Sequence, residues 1–187
     1  MDTYKAGVAA QALEAGAHIV NDISALAFDS NMASVAVQFN APVILMHIKG
    51  TPKDMQKNPY YDDVVDEIYQ YFEERISYAV EQGICLESIV IDPGIGFGKR
   101  LQDNYEILQR LDTFRNLNRP ILVGPSRKSF LGKVLDLPPE HCIEGTLAAA
   151  TAAIMAGADI LRVHDVKEMK RAAQITDFIV EKMLVTH

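Results

Sequence analysis

Five short apolar runs, each joined to the next by a stretch of helical periodicity, set the strongest constraint on what this chain can become. They are AHIVNDI over Ala17–Ile23, PVILMH over Pro42–His47, IVI over Ile89–Ile91 leading into Asp92, PILVG over Pro120–Gly124, and DILRVH over Asp159–His164. Their length and β-branched content are those of strands buried on both faces. Between them, apolar residues return every three or four positions, the repeat of one helix face. Ala6, Ala9, Ala10 and Leu13 predict a helix from Tyr4 to Gly16, and Met32, Val35, Ala36 and Phe39 predict a short one over Met32–Phe39 that Asn31 can cap. Val65, Ile68, Phe72, Ile76 and Val80 predict the longest, from Asp62 or Asp63 to about Gln82, stopped by Gly83. Further helices are expected over Asp103–Leu111, with Tyr105, Ile107, Leu108 and Leu111 inward, over the alanine-rich Glu144–Ala156, and over Lys167–Leu184. The segments Ile48–Tyr61 and Ser126–Lys133 read as a mobile loop and a basic stretch.

Strands that alternate with helices build parallel βαβ units. The predicted class is therefore α/β, a (β/α)8 TIM barrel present in part. A whole barrel takes about 250 residues, and the 187 residues here provide about five to six C-terminal βα units. A single domain over 1–187 is expected, lacking two to three N-terminal units. The net charge of −7 disfavours non-specific attraction to nucleic acid or an anionic membrane, so an anionic ligand has to be held by local basic residues. Cys85 and Cys142 lie far apart without metal-ligand spacing, and the N-terminus has no signal-peptide hydrophobic region, so a cytoplasmic protein is expected.

In parallel α/β folds, ligands gather at the carboxyl ends of the strands. The polar residues expected there are Asp2, Asn21, His47, Asp92, the Ser126–Ser129 segment, Arg162 and His164. Asp92 is followed by Pro93, which holds it extended, and by Gly94, Gly96 and Gly98, which let the backbone turn sharply and approach a ligand. Taken alone, a D-P-G sequence is equally consistent with a plain strand-to-loop connection. Arg162 and His164 are two apart, so both share one strand face, and a buried arginine there needs an anion, either a phosphate or a structural carboxylate. A carboxylate accepts two parallel N–H bonds from an amidine-like edge and an amide both donates and accepts, so Asp92 with Asn21 suits an aminopyrimidine-type ring. Lys128 adds a cation for a ring carbonyl and Ser129 a hydroxyl for a neighbouring ligand, whereas Arg127 is as consistent with a solvated surface charge and His47 reads more readily as structural.

The motifs DPGIGFGK at Asp92–Lys99, SRKSFLGK at Ser126–Lys133, NDIS at Asn21–Ser24, LMHIKGTPKDMQ at Leu45–Gln56, EGTLAAA at Glu144–Ala150 and RVHDV at Arg162–Val166 together resemble the bacterial dihydropteroate synthase family, in that family's order and over nearly the whole chain. The resemblance implies condensation of p-aminobenzoate with 6-hydroxymethyl-7,8-dihydropterin pyrophosphate, Mg2+ assistance, and a homodimer through the C-terminal helices. It implies that Asn21, Asp92 and Lys128 bind the pterin edge, that Ile23, Ile44, Met46 and Gly124 line the pocket, and that Arg162 stacks on the pterin and holds pyrophosphate with His164. Phe97, Lys128 and Ser129 would border p-aminobenzoate, and Asp2 would lie near the reacting carbon, so that Asp2, Lys128 and Arg162 form the catalytic group. The family's Mg2+-site asparagine belongs to strands before Met1, so no metal ligand is expected in this chain, and Pro125 stands where threonine or alanine is more usual. Impaired turnover by this chain alone is expected. The alternatives are a non-catalytic fragment or oligomerisation partner, or another pterin-binding barrel such as a methyltetrahydrofolate methyltransferase domain.

Overall fold

A computed structural model describes residues 1–180; the expected helix end at Leu184 lies outside the described residues. The elements run α1 (Ala6–Glu14), β1 (Val20–Asp22), α2 (Met32–Gln38), β2 (Val43–Met46), α3 (Val64–Glu81), β3 (Ile89–Asp92), α4 (Leu101–Gln109), β4 (Leu122–Val123), α5 (Ser129–Leu135), α6 (Ile143–Met155), β5 (Ile160–Leu161) and α7 (Val166–Val180). All pairings are parallel: β1 with β2, β2 with β3, and β4 with β5. A bridge between Ile91 and Ile121 joins β3 to β4, and one between Asp2 and Asn21 adds the chain's first residues beside β1. The result is an arc of six parallel segments in chain order, as expected of successive βα units of a barrel.

Register explains the layering. Val20, Val43 and Ile89 stand side by side, as do Leu45, Ile91 and Ile121, and all six are fully buried under the helices. Their neighbours Asn21, Ile44 and Val90, then Met46 and Asp92, point to the other side, the concave face of the arc. Two apolar clusters hold the helices: Ala9, Leu13, Met32 and Ala36 pack on β1 and β2, while Phe72, Ile107, Phe114 and Ala153 pack on β3 and β4. Asp63 starts α3 by accepting from the backbone N–H groups of Val65 and Asp66, and Arg110 grips the same carboxylate at 2.8 Å.

Several expectations are corrected. Asn31 makes no capping bond; it lies in helical geometry, and Asp29 accepts from its N–H instead. Val80 is exposed and Ala79 takes the buried place on α3. The basic stretch contains a helix, α5, whose apolar residues Phe130, Leu131, Val134 and Leu135 recur at helical spacing among the charges of Arg127, Lys128 and Lys133. β5 is two residues long rather than six: beyond it, the Arg162 N–H still bonds Val123 O, but the His164 N–H turns to the Ser126 hydroxyl. The ends of the expected mobile loop are held by the Lys49–Glu67 ion pair, by Lys49 over the Tyr61 ring and by the buried Tyr61, while most residues between them are exposed.

Candidate active site

Asp92 is the last residue of β3 and only 6% exposed. Its Oδ1 accepts from the Gly94 N–H at 2.8 Å, an Asx turn that Pro93 and Gly94 make possible, and its Oδ2 takes no hydrogen bond from the described residues. Burial pushes its pKa up, against the opposing pull of Gly94, Lys128, Lys99 and Arg162. It forms the floor of a cavity of about 200 Å³ whose walls include Met46, Phe97, Gly124, Lys128, Arg162 and His164.

Lys128 precedes α5 in extended geometry, so its side chain crosses back over the glycine-rich turn. Its Nζ donates to the Ile95 carbonyl and lies 4.2 Å from the centre of the Phe97 ring. Burial lowers its pKa to about 8, with Asp92 pulling the other way. A partly buried lysine beside a buried carboxylate is an arrangement that can bind the donor and acceptor edges of one polar ring.

Two further hollows adjoin this cavity, and Arg162 lines all three. One holds Asp2, Ile23, Met46 and Phe97; the other holds Asp2, Asn21 and Ile44. Asn21 therefore lies in a hollow adjacent to that of Asp92 and Lys128 rather than in the same one. Its Nδ2 donates to Asp2 Oδ1 at 2.6 Å, whereas its buried Oδ1 has no partner among the described residues. An orphaned buried acceptor is costly and marks a place where a ligand donor fits. Contrary to expectation, Arg162 is not buried: its side chain is 61% exposed and its guanidinium pairs with Asp2, itself 44% exposed. Such a solvated pair contributes little and exchanges readily for another anion. His164 presents Nδ1 to the Ser126 hydroxyl at 3.0 Å.

The glycines of the turn serve the protein's own packing first. A Cβ on Gly94 would lie 2.0 Å from the His47 carbonyl oxygen, and one on Gly98 would lie 2.3 Å from that of Lys49. Both residues have positive φ. Gly94 thus packs on the end of β2 and also lines the Asp92 cavity. Below the turn, Lys99 is buried and reaches His47 Nδ1 and Phe97 O, both at 3.0 Å. Lys99 was not legible as a site residue, because a lysine closing a loop ordinarily points to water.

Of the residues singled out from sequence, Asp2, Asn21, Ile23, Ile44, Met46, Asp92, Phe97, Gly124, Lys128, Arg162 and His164 line the three hollows. Ser129 does not; it is exposed at the first turn of α5. Arg127 pairs with Asp165 at 2.7 Å, which accounts for it as a surface ion pair. Among the described residues no group of three His, Cys, Asp or Glu side chains could hold a metal ion.

Comparison with known proteins agrees with this geometry. Residues 1–164 match the model of a family described as pterin binding enzyme. A dihydropteroate synthase of Synechocystis is 47% identical over 178 residues, 95% of this chain. One from Escherichia coli K12 is 45% identical over 177 residues. A crystal structure of the Yersinia pestis dihydropteroate synthase with a sulfonamide drug superposes with a TM-score of 0.94 at 42% identity, covering 97% of this chain and 66% of that one. The chain spans 62% of the length of the Synechocystis and E. coli relatives.

Proposed function

The chain belongs to the pterin-binding enzyme family, and on that premise we propose that it acts as a dihydropteroate synthase within one domain, joining p-aminobenzoate to 6-hydroxymethyl-7,8-dihydropterin pyrophosphate. The observation that carries this reading is the buried Asp92 carboxylate, with one oxygen free of protein donors and Lys128 facing it across the cavity. Asp92 accepts the N–H groups of the pterin's amidine edge, Lys128 donates to its ring carbonyl, and the orphaned Asn21 Oδ1 takes a third ring N–H. Met46, Ile23 and Ile44 supply the apolar walls. Arg162 leaves Asp2 for the pyrophosphate, with His164 beside it. As the C–O bond to pyrophosphate breaks, positive charge grows on the pterin methylene, which the freed Asp2 carboxylate stabilises. The p-aminobenzoate amine, bordered by Phe97, then forms the C–N bond and gives its proton to the departing pyrophosphate or to water. Mg2+ would neutralise charge on the pyrophosphate; the described residues hold no group of three metal ligands, and no step is assigned to it.

The reading includes a homodimer, supported by the exposed Ile175, Phe178 and Ile179 on α7, and a cytoplasmic setting, supported by the free cysteines Cys85 and Cys142. Neither a membrane nor nucleic acid is assigned as a partner. Among the described residues no helix is long and apolar enough to cross a membrane. The arc leaves Ile19 and Ile160 open to water and Arg162 and Asp2 well exposed, so electrostatic stabilisation is screened and turnover by this chain is slow. The test is pyrophosphate release from the pterin substrate, with and without p-aminobenzoate and Mg2+. Slow release that yields the C–N-bonded product with p-aminobenzoate and is abolished in Arg162→Met supports the reading. Release that never yields that product when p-aminobenzoate is present points to a different pterin enzyme and overturns it.

A further inference from the structure

Four consecutive carbonyls of the glycine-rich turn each accept from a different side chain: Ile95 O from Lys128, Gly96 O from Gln56, Phe97 O from Lys99 and Gly98 O from Tyr61. Three of these donors reach in from other segments. Lys99 is the exception, a residue of the turn itself, 5% exposed, whose ammonium also meets His47 Nδ1 at 3.0 Å. Burying an ammonium is costly unless its protons find acceptors, and an apolar side chain would fill the same space without that cost. The cation is therefore explained by what it holds rather than by packing.

We propose that Lys99 and His47 form a positioning pair that fixes the Phe97 backbone, and with it the p-aminobenzoate side of the site, without touching either substrate. This rests on the function proposed above. A charged ammonium has no lone pair, so His47 Nδ1 is the acceptor and its proton resides on Nε2. The imidazole cannot swing, because Tyr71 stands edge-on to it at 4.9 Å and Tyr61 lies at 6.2 Å. Those rings are themselves anchored, Tyr61 through Gly98 O at 2.7 Å and Tyr71 through Ser24 O at 2.9 Å. The His47 N–H meanwhile bonds Asp92 O at 2.9 Å, so one residue links the end of β2 to both Asp92 and the turn. The charged groups facing Lys99 are Asp92, Asp103, Lys128 and Lys49; those facing His47 are Lys99 and Lys49. Burial together with these two cations keeps His47 neutral, and burial brings the Lys99 ammonium down to about 7.

Nitrogen-15 NMR of the histidine rings in the unaltered chain tests the pair directly. His47 is expected as the neutral Nε2–H tautomer from about pH 5 to 6.5, where free histidine takes up its proton and the Lys99 ammonium, which titrates at about 7, is still charged. Calorimetry then separates positioning from a general structural role. In Lys99→Met, affinity for 6-hydroxymethylpterin is expected within about twofold of normal, while affinity for p-aminobenzoate, measured with pterin and pyrophosphate bound, falls about tenfold or more. Lys99→Arg, which keeps the donors, is expected to restore most of that loss. A His47 that protonates near its free value or carries its proton on Nδ1 overturns the pair, as does an equal loss of both affinities. If the unaltered chain binds no pterin, the functional reading fails, and the tautomer measurement still decides the pair.

Discussion

At Asp92, burial and recognition act in opposite directions. The carboxyl is held above its ordinary value of 3.8 by burial, so between that value and its raised one the folded state keeps a proton that the unfolded chain has lost. Stability therefore falls as pH rises through this window, and at neutral pH the ionised Asp92 is a cost to the fold. Asp92→Asn is expected to raise the thermal midpoint at neutral pH and flatten its acid-side pH dependence, as read by circular dichroism. Lys128 gives a prediction of the opposite kind. Its pKa of about 8 means that the cation offered to a ring carbonyl is lost above that pH. Pterin affinity is expected to fall as pH rises through 8 in the unaltered chain, while Lys128→Met binds more weakly below pH 8 and lacks that step. Lys99, titrating near 7, is present in both proteins and cancels from the comparison.

Among the elements, the glycine-rich turn after β3 is fixed by sterics that can be measured. Gly94→Ala would drive a methyl to 2.0 Å from the His47 carbonyl at a φ of +69°, and backbone on both sides cannot yield. A loss of more than about 3 kcal/mol is expected in urea unfolding. Gly16→Ala, with a φ of +99° but open space around it, carries only the conformational cost, about 1 kcal/mol. The difference between the two isolates the contact of the turn with β2. Here the sequence was legible in part. The D-P-G-x-G-x-G pattern located the turn and the strand end, because proline and glycine restrict the backbone through local sterics alone. What the glycines touch is a contact across many residues, which no local pattern encodes, and the same holds for Lys128, Gln56 and Tyr61, which close on three of the turn's carbonyls. A tertiary partner likewise explains why Arg162 pairs with Asp2, at opposite ends of the described chain. The order of strands and helices and most inward positions were readable, since a parallel α/β arc is specified by hydrophobic period; α5, at seven residues, spans too few turns for its period to stand out from the charges around it.

In the whole molecule, six parallel segments form an open arc whose convex side is covered by helices and whose concave side carries the polar groups. The outer face of α7 presents Ile175, Phe178 and Ile179 to water, a larger apolar row than a lone surface helix normally tolerates. Phe178→Glu is expected to shift the sedimentation mass of the chain from dimer to monomer without altering its helical content. The central claim, that the concave side is a pterin site built on Asp92, is tested most directly by titrating the chain with 6-hydroxymethylpterin and following pterin fluorescence. The unaltered chain is expected to bind saturably, and Asp92→Asn, still folded, to bind about tenfold or more weakly through loss of charge-assisted hydrogen bonds. Absence of saturable binding, or binding that Asp92→Asn leaves unchanged, would contradict it.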